Sequence, residues 1–313
     1  MMQKEISIAP MLDWTDRHFR FFLRQICRHA LLYTEMINEH AIVLGDRNRL
    51  LAFDALEQPL ALQIGGSDPN LMAECAAIAQ DTGFTQVNIN AGCPSTRVQA
   101  GTFGACLMAV PDQVARCVEA MQKRTTLPIT VKTRIALEGP GDGYTELHRF
   151  VQTVQAAGCR KFIIHARKAR LTGLTPKENR EKMSLNYPLV YRLKQDFPHL
   201  TIIINGNITS LEAVETHLTQ TDGVMIGRRA YADPYFLASV DNRYYHDAHP
   251  ILSREEIIER MIPYFENQMK QGIKLHTMTR HLMGLYYQQP RSKEFKQTLM
   301  QNDLKALKAF LNH

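Results

Sequence analysis

The 313-residue sequence predicts an α/β protein, a (β/α)8 TIM barrel followed by a small all-α helical bundle. Three observations carry this prediction. Eight short apolar runs recur over the first 230 residues, longer segments with helical spacing separate them, and the strand-like runs stop after Pro234. Alternating strands and helices over this length are typical of a parallel sheet closed into a barrel.

The predicted strands are short runs rich in β-branched and other apolar residues. They are Ile6–Met11, Leu31–Met36, Leu60–Ile64, Gln86–Asn90, Ile129–Arg134, Phe162–Ala166, Thr201–Asn205 and Val224–Ile226. An open doubly wound sheet is the rival architecture, but it normally has a glycine-rich phosphate loop after its first strand. Pro10–Asp13 follows the first strand here and contains no glycine.

The segments between the strands predict helices, and several end at a glycine suited to a left-handed C-cap. The clearest are Leu71–Gly83, Pro111–Arg124, Tyr144–Gly158 and Leu211–Leu218. Together with the strands they define a predicted barrel domain over residues 1–240.

The C-terminal part predicts a separate helical domain over residues 250–313. Ser253 and Glu256 form a capping box, after which an apolar stripe from Ile257 to Met269 predicts a helix with a kink at Pro263. Two further amphipathic helices are expected at Met278–Tyr287 and Ser292–Leu311.

Composition excludes several classes of protein. With 45% hydrophobic and 22% charged residues, the chain is neither wholly disordered nor collagen-like. It has no stretch of about 20 apolar residues and begins without a signal-peptide core, which predicts a cytoplasmic protein without membrane association. Six cysteines without a CxxC pair favour neither a metal site nor a disulfide framework.

The basic residues are concentrated in two regions. Residues 160–182 carry eight basic and two acidic side chains, and residues 251–313 carry ten basic and six acidic ones, against a net charge of +6 for the chain. Charge alone fits a solvated surface as well as a nucleic-acid partner.

The ends of the predicted strands, where the working residues of (β/α)8 enzymes lie, are rich in polar side chains. The residues at these ends are Pro10, Met11, Glu35, Gln63, Asn88, Asn90, Cys93, Lys132, Arg134, His165, Arg167, Asn205, Gly206, Asn207, Gly227 and Arg228. The glycines after strands 7 and 8, with Arg228, fit a phosphate site, although they could simply form tight turns. Taken singly, Cys93 could be inert packing, Lys132 the partner of a buried carboxylate, and Asn90 an Asx turn.

Six motifs resemble the tRNA-dihydrouridine synthases across essentially the whole chain. They are Ala9–Asp16, Leu62–Gly66, Asn88–Ser95, Val131–Arg134, His165–Arg167 and Asn205–Asn207, of which Gly92–Ser95 is the most specific. Phe103–Met108 and Lys168–Arg180 resemble the bacterial A-type branch, whose targets are the D-loop uridines at tRNA positions 20 and 20a.

The resemblance implies a tightly bound FMN in the barrel mouth, reduced by NADPH. By motif position, Pro10, Met11 and Leu12 would lie near the edge of the flavin ring, and Gln63, Lys132 and His165 would contact its polar groups. Asn205, Gly206, Asn207, Gly227 and Arg228 would hold the phosphate end. A cation beside the pyrimidine side of the ring stabilises the charge of the reduced form.

The resemblance further implies that hydride reaches C6 of uridine while Cys93 gives a proton to C5. A thiol with a pKa of about 8.5 is mostly protonated near neutrality and can act as this acid. The implied partner is the D-loop and elbow of tRNA, and a monomer is expected because the tRNA must reach the basic face. Its expected contacts are Asn90, Arg97, Arg134, Lys168, Arg170, Gly173 and Arg180 at the mouth, and Arg291 and Lys293 in the helical domain.

Two other functions remain open at this stage. A flavin barrel acting on a small pyrimidine, as dihydroorotate dehydrogenases do, would share the flavin site but leave the basic C-terminal region without a role. An RNA-binding protein without catalysis would have no use for Cys93, Lys132 and His165.

Overall fold

The computed structural model describes residues 4–95, 98 and 101–312. Its strands are β1 Glu5–Ile8, β2 Leu32–Asn38, β3 Leu60–Gly65, β4 Gln86–Ala91, β5 Ile129–Arg134, β6 Lys161–His165, β7 Thr201–Asn205 and β8 Gly223–Ile226. They are parallel and pair in the order β1-β8-β7-β6-β5-β4-β3-β2, and a further pairing between Ser7 and Leu31 joins β1 to β2 and closes the barrel. The predicted (β/α)8 barrel is therefore confirmed.

The first strand is shorter than expected because the chain turns early. It ends at Ile8 rather than Met11, and the Met11 carbonyl accepts the amides of Trp14 and Thr15. Residues 9–16 therefore form a loop at the C-terminal end of β1, at the mouth of the barrel.

The barrel has an apolar layer inside its strands and a larger one outside them. Residues of the inner layer include Ala9, Leu31, Tyr33, Ala61, Ile163, Ile203 and Met225. The outer layer fills the space between the sheet and the surrounding helices. This packing is typical of a filled barrel, which leaves polar residues for the two ends.

Helices follow the strands as predicted, with small shifts at their ends. Pro69–Thr82 begins two residues early because the Asp68 side chain caps the amides of Asn70 and Leu71, and it ends at Gly83 with φ 97°. Within the described residues, the α-helices before residue 250 are Arg17–Ile26, Glu39–Leu44, Arg47–Leu50, Pro69–Thr82, Pro111–Gln122, Tyr144–Ala156, Pro176–Glu181, Tyr187–Asp196, Leu211–Leu218, Arg228–Ala232 and Val240–Tyr244.

The C-terminal part is helical, as predicted, but more broken. Arg254–Lys270 begins at the predicted Ser253–Glu256 capping box and continues through Pro263. Its last turns differ from the predicted stripe, since Met269 is 43% exposed whereas Gln268 is buried.

The other two predicted C-terminal helices do not form as single elements. Only the short helix Leu275–Thr279 and a 3-10 turn at Arg280–Leu282 occupy the region predicted as Met278–Tyr287. The predicted Ser292–Leu311 is divided into Ser292–Met300 and Leu304–Phe310. Asp303 ends the gap because its side chain caps the second helix at Lys305.

The C-terminal helices pack directly on the barrel. Phe21 stacks on Tyr264 with ring centroids 3.9 Å apart, and His18 Nδ1 lies 2.7 Å from the Tyr264 hydroxyl. One apolar cluster runs through both parts, and the division at residues 240–250 stays a prediction. None of the helices in the described residues is long and apolar enough to cross a membrane.

Candidate active site

Residues from four adjacent strands come together at the mouth of the barrel. The strand register pairs Asn90 with Lys132, Arg134 with His165, and His165 with Asn205. Because parallel strands present their C-terminal ends at one edge, the sequence-predicted residues of β4 to β7 are neighbours there.

A chain of buried hydrogen bonds crosses β3, β4 and β5 beneath this mouth. Asn90 Nδ2 donates to Gln63 Oε1 at 2.9 Å, and Gln63 Nε2 donates to Asn88 Oδ1 at 2.8 Å. Asn88 Nδ2 donates in turn to Thr130 Oγ1 at 2.9 Å. Buried amides with satisfied donors are held in a single orientation, so the chain fixes the rotamer of Asn90.

Asn90 fixes the loop that carries Cys93. Its Oδ1 accepts the amides of Gly92 at 3.1 Å and Cys93 at 3.0 Å, an Asx-type turn. The Cys93 carbonyl accepts the amide of Ala105 at 2.9 Å, and a side chain at Gly104 would lie 2.6 Å from that same carbonyl oxygen. The half-buried Cys93 therefore sits on a loop tied at both peptide groups.

Lys132 lies close to Cys93 and has an amide as its partner. Its Nζ donates to Asn205 Oδ1 at 3.2 Å, while Asn205 Nδ2 donates to the Met225 carbonyl at 2.8 Å. No carboxylate of the described residues forms an ion pair with Lys132. Burial, followed by the Arg134 charge, lowers the pKa of Lys132 to about 7.

His165 is held neutral at the same place. Burial, followed by the charges of Arg134 and Lys132, keeps its pKa well below the usual value. It is therefore a neutral hydrogen-bonding group at neutral pH.

Arg134 braces two loops of the mouth from inside. Its Nε donates to the Gly92 carbonyl at 2.9 Å and its Nη1 to the Lys168 carbonyl at 2.8 Å. The side chain is buried, and burial lowers its pKa to about 10. These contacts join the Cys93 loop to the loop after β6.

The ends of β7 and β8 present glycines, and an arginine follows the second of them. Gly206 has φ 134°, and its carbonyl accepts the Tyr187 hydroxyl at 2.6 Å. Gly227 precedes the helix Arg228–Ala232, and a Cβ there would meet only the Ala9 Cβ, at 3.9 Å. This open backbone could approach a ligand closely.

Two arginines, Arg228 and Arg180, lie near each other on this side of the mouth. Arg228 follows Gly227 and lies 3.6 Å from Glu181, and burial together with the Arg228 charge lowers the pKa of Arg180. Arg180 is half-buried, and its Nε is buried without a hydrogen-bond partner in the described residues. A guanidinium with an unused buried donor beside a second arginine suits an anionic group.

The β1 side of the mouth is less polar. Pro10 and Met11 are half-buried, whereas Leu12 is 66% exposed.

On the β7 side of the mouth, Asn207 follows Gly206 and has a left-handed φ of 50°.

The remaining predicted contact residues have varied surroundings. Arg97 lies outside the described residues. Lys168 Nζ donates to the carbonyls of Gly139 and Gly141, Arg170 pairs with Glu138, and Gly173 is a turn residue with φ 74°.

The two predicted C-terminal contacts differ from each other. Arg291 pairs with Glu294 at 3.0 Å and lies 3.8 Å from the centroid of the Phe310 ring. Lys293 is exposed. Of these two residues, Lys293 is therefore the one that presents its charge to solvent.

Three residues with clear contacts at the mouth were not assigned a role by sequence reasoning. Thr130 completes the amide chain, Tyr187 holds the Gly206 carbonyl, and Asp16 caps the helix Arg17–Ile26. Asp16 precedes a helical segment and could have been recognised as a capping residue. Nothing in the local sequence identifies the partners of Thr130 or Tyr187.

Comparison with known proteins adds sequence relatives of nearly full length. A sequence model of the family described as "Dihydrouridine synthase (Dus)" matches residues 7–312. A Synechocystis protein named tRNA-dihydrouridine(20/20a) synthase is 55% identical over 96% of this chain and 90% of its own length. Proteins of the same name from Shewanella oneidensis and Vibrio cholerae are 51% and 50% identical, over 96% and 95% of this chain and 89% and 90% of their own lengths.

Solved structures with the same fold are much more distant in sequence. Morphinone reductase in complex with tetrahydroNAD aligns over 78% of this chain and 87% of its own, with a TM-score of 0.51 and 13% identity. A 2-naphthoyl-CoA reductase complex aligns over 76% of this chain and 50% of its own, with a TM-score of 0.59 and 12% identity. At this identity the likeness supports the barrel fold alone.

Proposed function

The chain belongs to the dihydrouridine synthase family, and on that premise we propose that it is a flavin-dependent tRNA-dihydrouridine synthase. Its substrate is the D-loop of tRNA, and the reaction reduces the C5–C6 double bond of uridine at positions 20 and 20a. The names of relatives at 50–55% identity support this choice of positions. We further propose that it works in the cytoplasm. We also propose that it is a monomer, because a tRNA must reach the mouth.

The side chains of the mouth fit FMN. Gly206, Gly227 and Arg228 offer backbone groups and a cation for a phosphate, and the buried unpartnered Nε of Arg180 adds a donor nearby. Gln63, Lys132 and His165 supply polar groups for the ring, beside Pro10, Met11 and Leu12. When bound, FMN supplies a hydride for C6 of the uridine after its own reduction by NADPH.

Lys132 and His165 set the charge of this environment. Lys132 has no carboxylate partner among the residues that the structure describes, so a negative charge on a bound ring would raise its pKa and keep its Nζ protonated. His165, which is neutral, can accept or donate a hydrogen bond without adding a second positive charge.

The position of Cys93 carries the proposal. Its Sγ belongs to a half-buried side chain on the loop tied by Asn90 and Ala105, three residues beyond the Asn90 that pairs with Lys132 of β5. An acid fixed in this way can deliver its Sγ proton to C5 of a uridine. Such general-acid catalysis contributes about 10²–10⁴ in rate.

The test compares two cysteines of the same protein. Cys93→Ala should purify yellow with bound FMN and accept electrons from NADPH, yet form dihydrouridine at least about 100-fold more slowly. Cys106→Ala is the matched control, because Cys106 is also half-buried but its Sγ donates to the Phe103 carbonyl. Mass spectrometry of tRNA from a deletion strain complemented with each gene measures the product at positions 20 and 20a.

Two outcomes would contradict the proposal. Normal dihydrouridine in the deletion strain would exclude the tRNA reaction. Near-normal activity of Cys93→Ala would remove Cys93 from the role of proton donor.

A further inference from the structure

The loop after β1, residues 11–16, is held from several directions. Thr15 Oγ1 contacts both the amide and the carbonyl of Met11, at 2.9 and 3.1 Å. The amide of Asp13, a residue with φ 64°, donates to Glu35 of β2. These contacts belong to the barrel itself and set the shape of the loop.

A second group of contacts reaches this loop from the C-terminal helices. Asp16 Oδ2 accepts Arg280 Nη2 at 2.9 Å and His281 Nε2 at 3.0 Å. The same Arg280 Nη2 also donates to the Asp13 carbonyl at 2.9 Å. We call Asp16, Arg280 and His281 the Asp16 clamp.

The other oxygen of Asp16 is already used by the barrel. Asp16 Oδ1 accepts the amides of His18 and Phe19 at 2.9 and 3.0 Å, capping the helix Arg17–Ile26. One carboxylate therefore joins a barrel helix to residues 264 and 265 positions away in the sequence. Burial opposes the charge of Asp16, but the His281 and Arg280 contacts and the backbone amides outweigh it and lower the pKa.

The His281 ring is held on one side only. Its Nε2 lies 3.0 Å from Asp16 Oδ2 and 3.3 Å from Arg280 Nε. His281 Nδ1 is buried and finds no hydrogen-bond partner in the described residues. The polar contacts of the ring therefore all go to Asp16 and Arg280.

Aromatic packing links the clamp to the predicted phosphate side of the mouth. Trp14 stacks on Tyr231 with centroids 4.4 Å apart and an interplanar angle of 12°. Tyr231 lies in the helix Arg228–Ala232, and the His281 ring meets it edge-on at 5.8 Å. Loop 11–16 is therefore packed between the C-terminal helices and the helix after β8.

We propose that Asp16 is a positioning residue that couples the tRNA-docking C-terminal helices to the flavin-edge loop 11–16. This inference rests on the proposed function. A tRNA docked on the C-terminal helices and a flavin bounded by loop 11–16 must be held in a fixed position relative to each other for the uridine to meet the flavin. Because a displacement of about 1 Å can cost about 100-fold in rate, a fixed link between these two parts has a direct consequence for hydride transfer.

The first test is Asp16→Asn, which keeps an oxygen for the helix cap but removes the charge that Arg280 and His281 share. FMN content, reduction by NADPH and tRNA affinity should stay within about twofold of the wild type. Reoxidation of the reduced enzyme by saturating tRNA should slow by about tenfold or more. The matched control is Glu266→Gln, which removes an exposed ion pair with Lys308 elsewhere in the C-terminal helices and should leave all four measurements unchanged.

A second readout does not depend on turnover. Trp14 is the only tryptophan of the chain, so its fluorescence reports on this loop. In Asp16→Asn, Trp14 should become more accessible to acrylamide, and the amides of Trp14 and Thr15 should exchange faster. Glu266→Gln should match the wild type in both measurements.

A pair of substitutions at His281 separates coupling from folding. Gln places an amide donor near the position of Nε2. The rate at which tRNA reoxidises the reduced His281→Gln enzyme should therefore stay within about threefold of the wild-type rate. His281→Leu fills the same buried space without a donor and should slow it as Asp16→Asn does.

Several results would overturn the inference. They are wild-type reoxidation in Asp16→Asn, loss of FMN or of tRNA affinity as its main defect, and equal rates for His281→Gln and His281→Leu. If tRNA failed to reoxidise the reduced flavin of the wild-type enzyme, the proposed function would be refuted instead. In that case, altered Trp14 exposure in Asp16→Asn would still support the link between the two parts of the chain.

Discussion

Lys132 is an ammonium group held among neutral and positive side chains. It lies near Asn205 and Arg134, no carboxylate of the described residues forms an ion pair with it, and its pKa falls to about 7. Burying an ammonium group without an opposite charge is costly, which is why such sites are rare outside ligand pockets. We interpret the unmet charge of Lys132 as part of the predicted flavin site.

The Lys132 pKa makes a prediction about stability in the flavin-free protein. The unfolded lysine has a pKa of about 10.4, so between about pH 7 and pH 10 the unfolded state binds more protons and this group makes stability rise with pH. The penalty is complete below pH 7 and disappears above pH 10. Lys132→Met should therefore remove a positive slope of at most about 1.4 kcal/mol per pH unit.

Urea unfolding of both flavin-free proteins between pH 6.5 and 9.5 measures that slope. The gain in unfolding free energy from Lys132→Met should be largest at the lowest pH and shrink as pH rises. Parallel profiles for the two proteins would mean that the pKa of Lys132 is not depressed.

At the scale of elements, the turn after β7 shows how a strand end becomes a binding surface. Gly206 has φ 134°, and a Cβ there would lie 2.9 Å from Leu185 and 3.1 Å from His165. Only glycine enters this conformation easily, and the absent side chain leaves room for the His165 ring. The turn therefore fixes the predicted phosphate end relative to a predicted ring contact.

Gly206→Ala should accordingly disturb both stability and cofactor binding. We expect a loss of about 1–3 kcal/mol in unfolding free energy from the strained backbone and a weaker affinity for FMN. Gly139→Ala is the control, because a Cβ there meets nothing within 4 Å and should change stability by less than about 0.5 kcal/mol. Thermal unfolding and flavin titration measure both effects, and equal behaviour of the two variants would rule out this role for the turn.

At the scale of the whole molecule, much of the positive charge near the mouth and in the C-terminal helices is already engaged by other groups of the protein. Many of the arginines and lysines near the mouth are committed to carbonyls or carboxylates, as are Arg134, Lys168 and Arg170. Arg291 is similarly used by Glu294 and Phe310. The tRNA-binding surface is therefore better tested at exposed Lys293 than at Arg291.

Lys293→Gln should weaken tRNA binding and reduce the slope of log affinity against log salt by about 1, while FMN binding is unchanged. The control is Lys123→Gln, an exposed lysine just after the helix Pro111–Gln122 and thus at the far end of the barrel from the mouth. Filter binding at several salt concentrations measures both slopes. Equal slopes for wild type and Lys293→Gln would place the RNA elsewhere.

The barrel architecture, most of the strand ends and the polar residues at the mouth can all be predicted from the amino-acid sequence. Strand and helix periodicity depend on local backbone geometry and on which side chains are buried, so they are legible along the chain. The C-terminal helices were less accurately predicted because a side-chain cap at Asp303 divides a continuous amphipathic pattern.

The hydrogen-bond partners of the mouth residues could be identified only from the tertiary structure. Arg134 was expected to contact tRNA, a role that stays a prediction, yet its described hydrogen bonds go to the carbonyls of Gly92 and Lys168. Asp16 meets Arg280 and His281 across more than 260 residues. A side chain's chemistry shows what it can bond, but its partner depends on how distant segments pack, and no local pattern in the sequence records that.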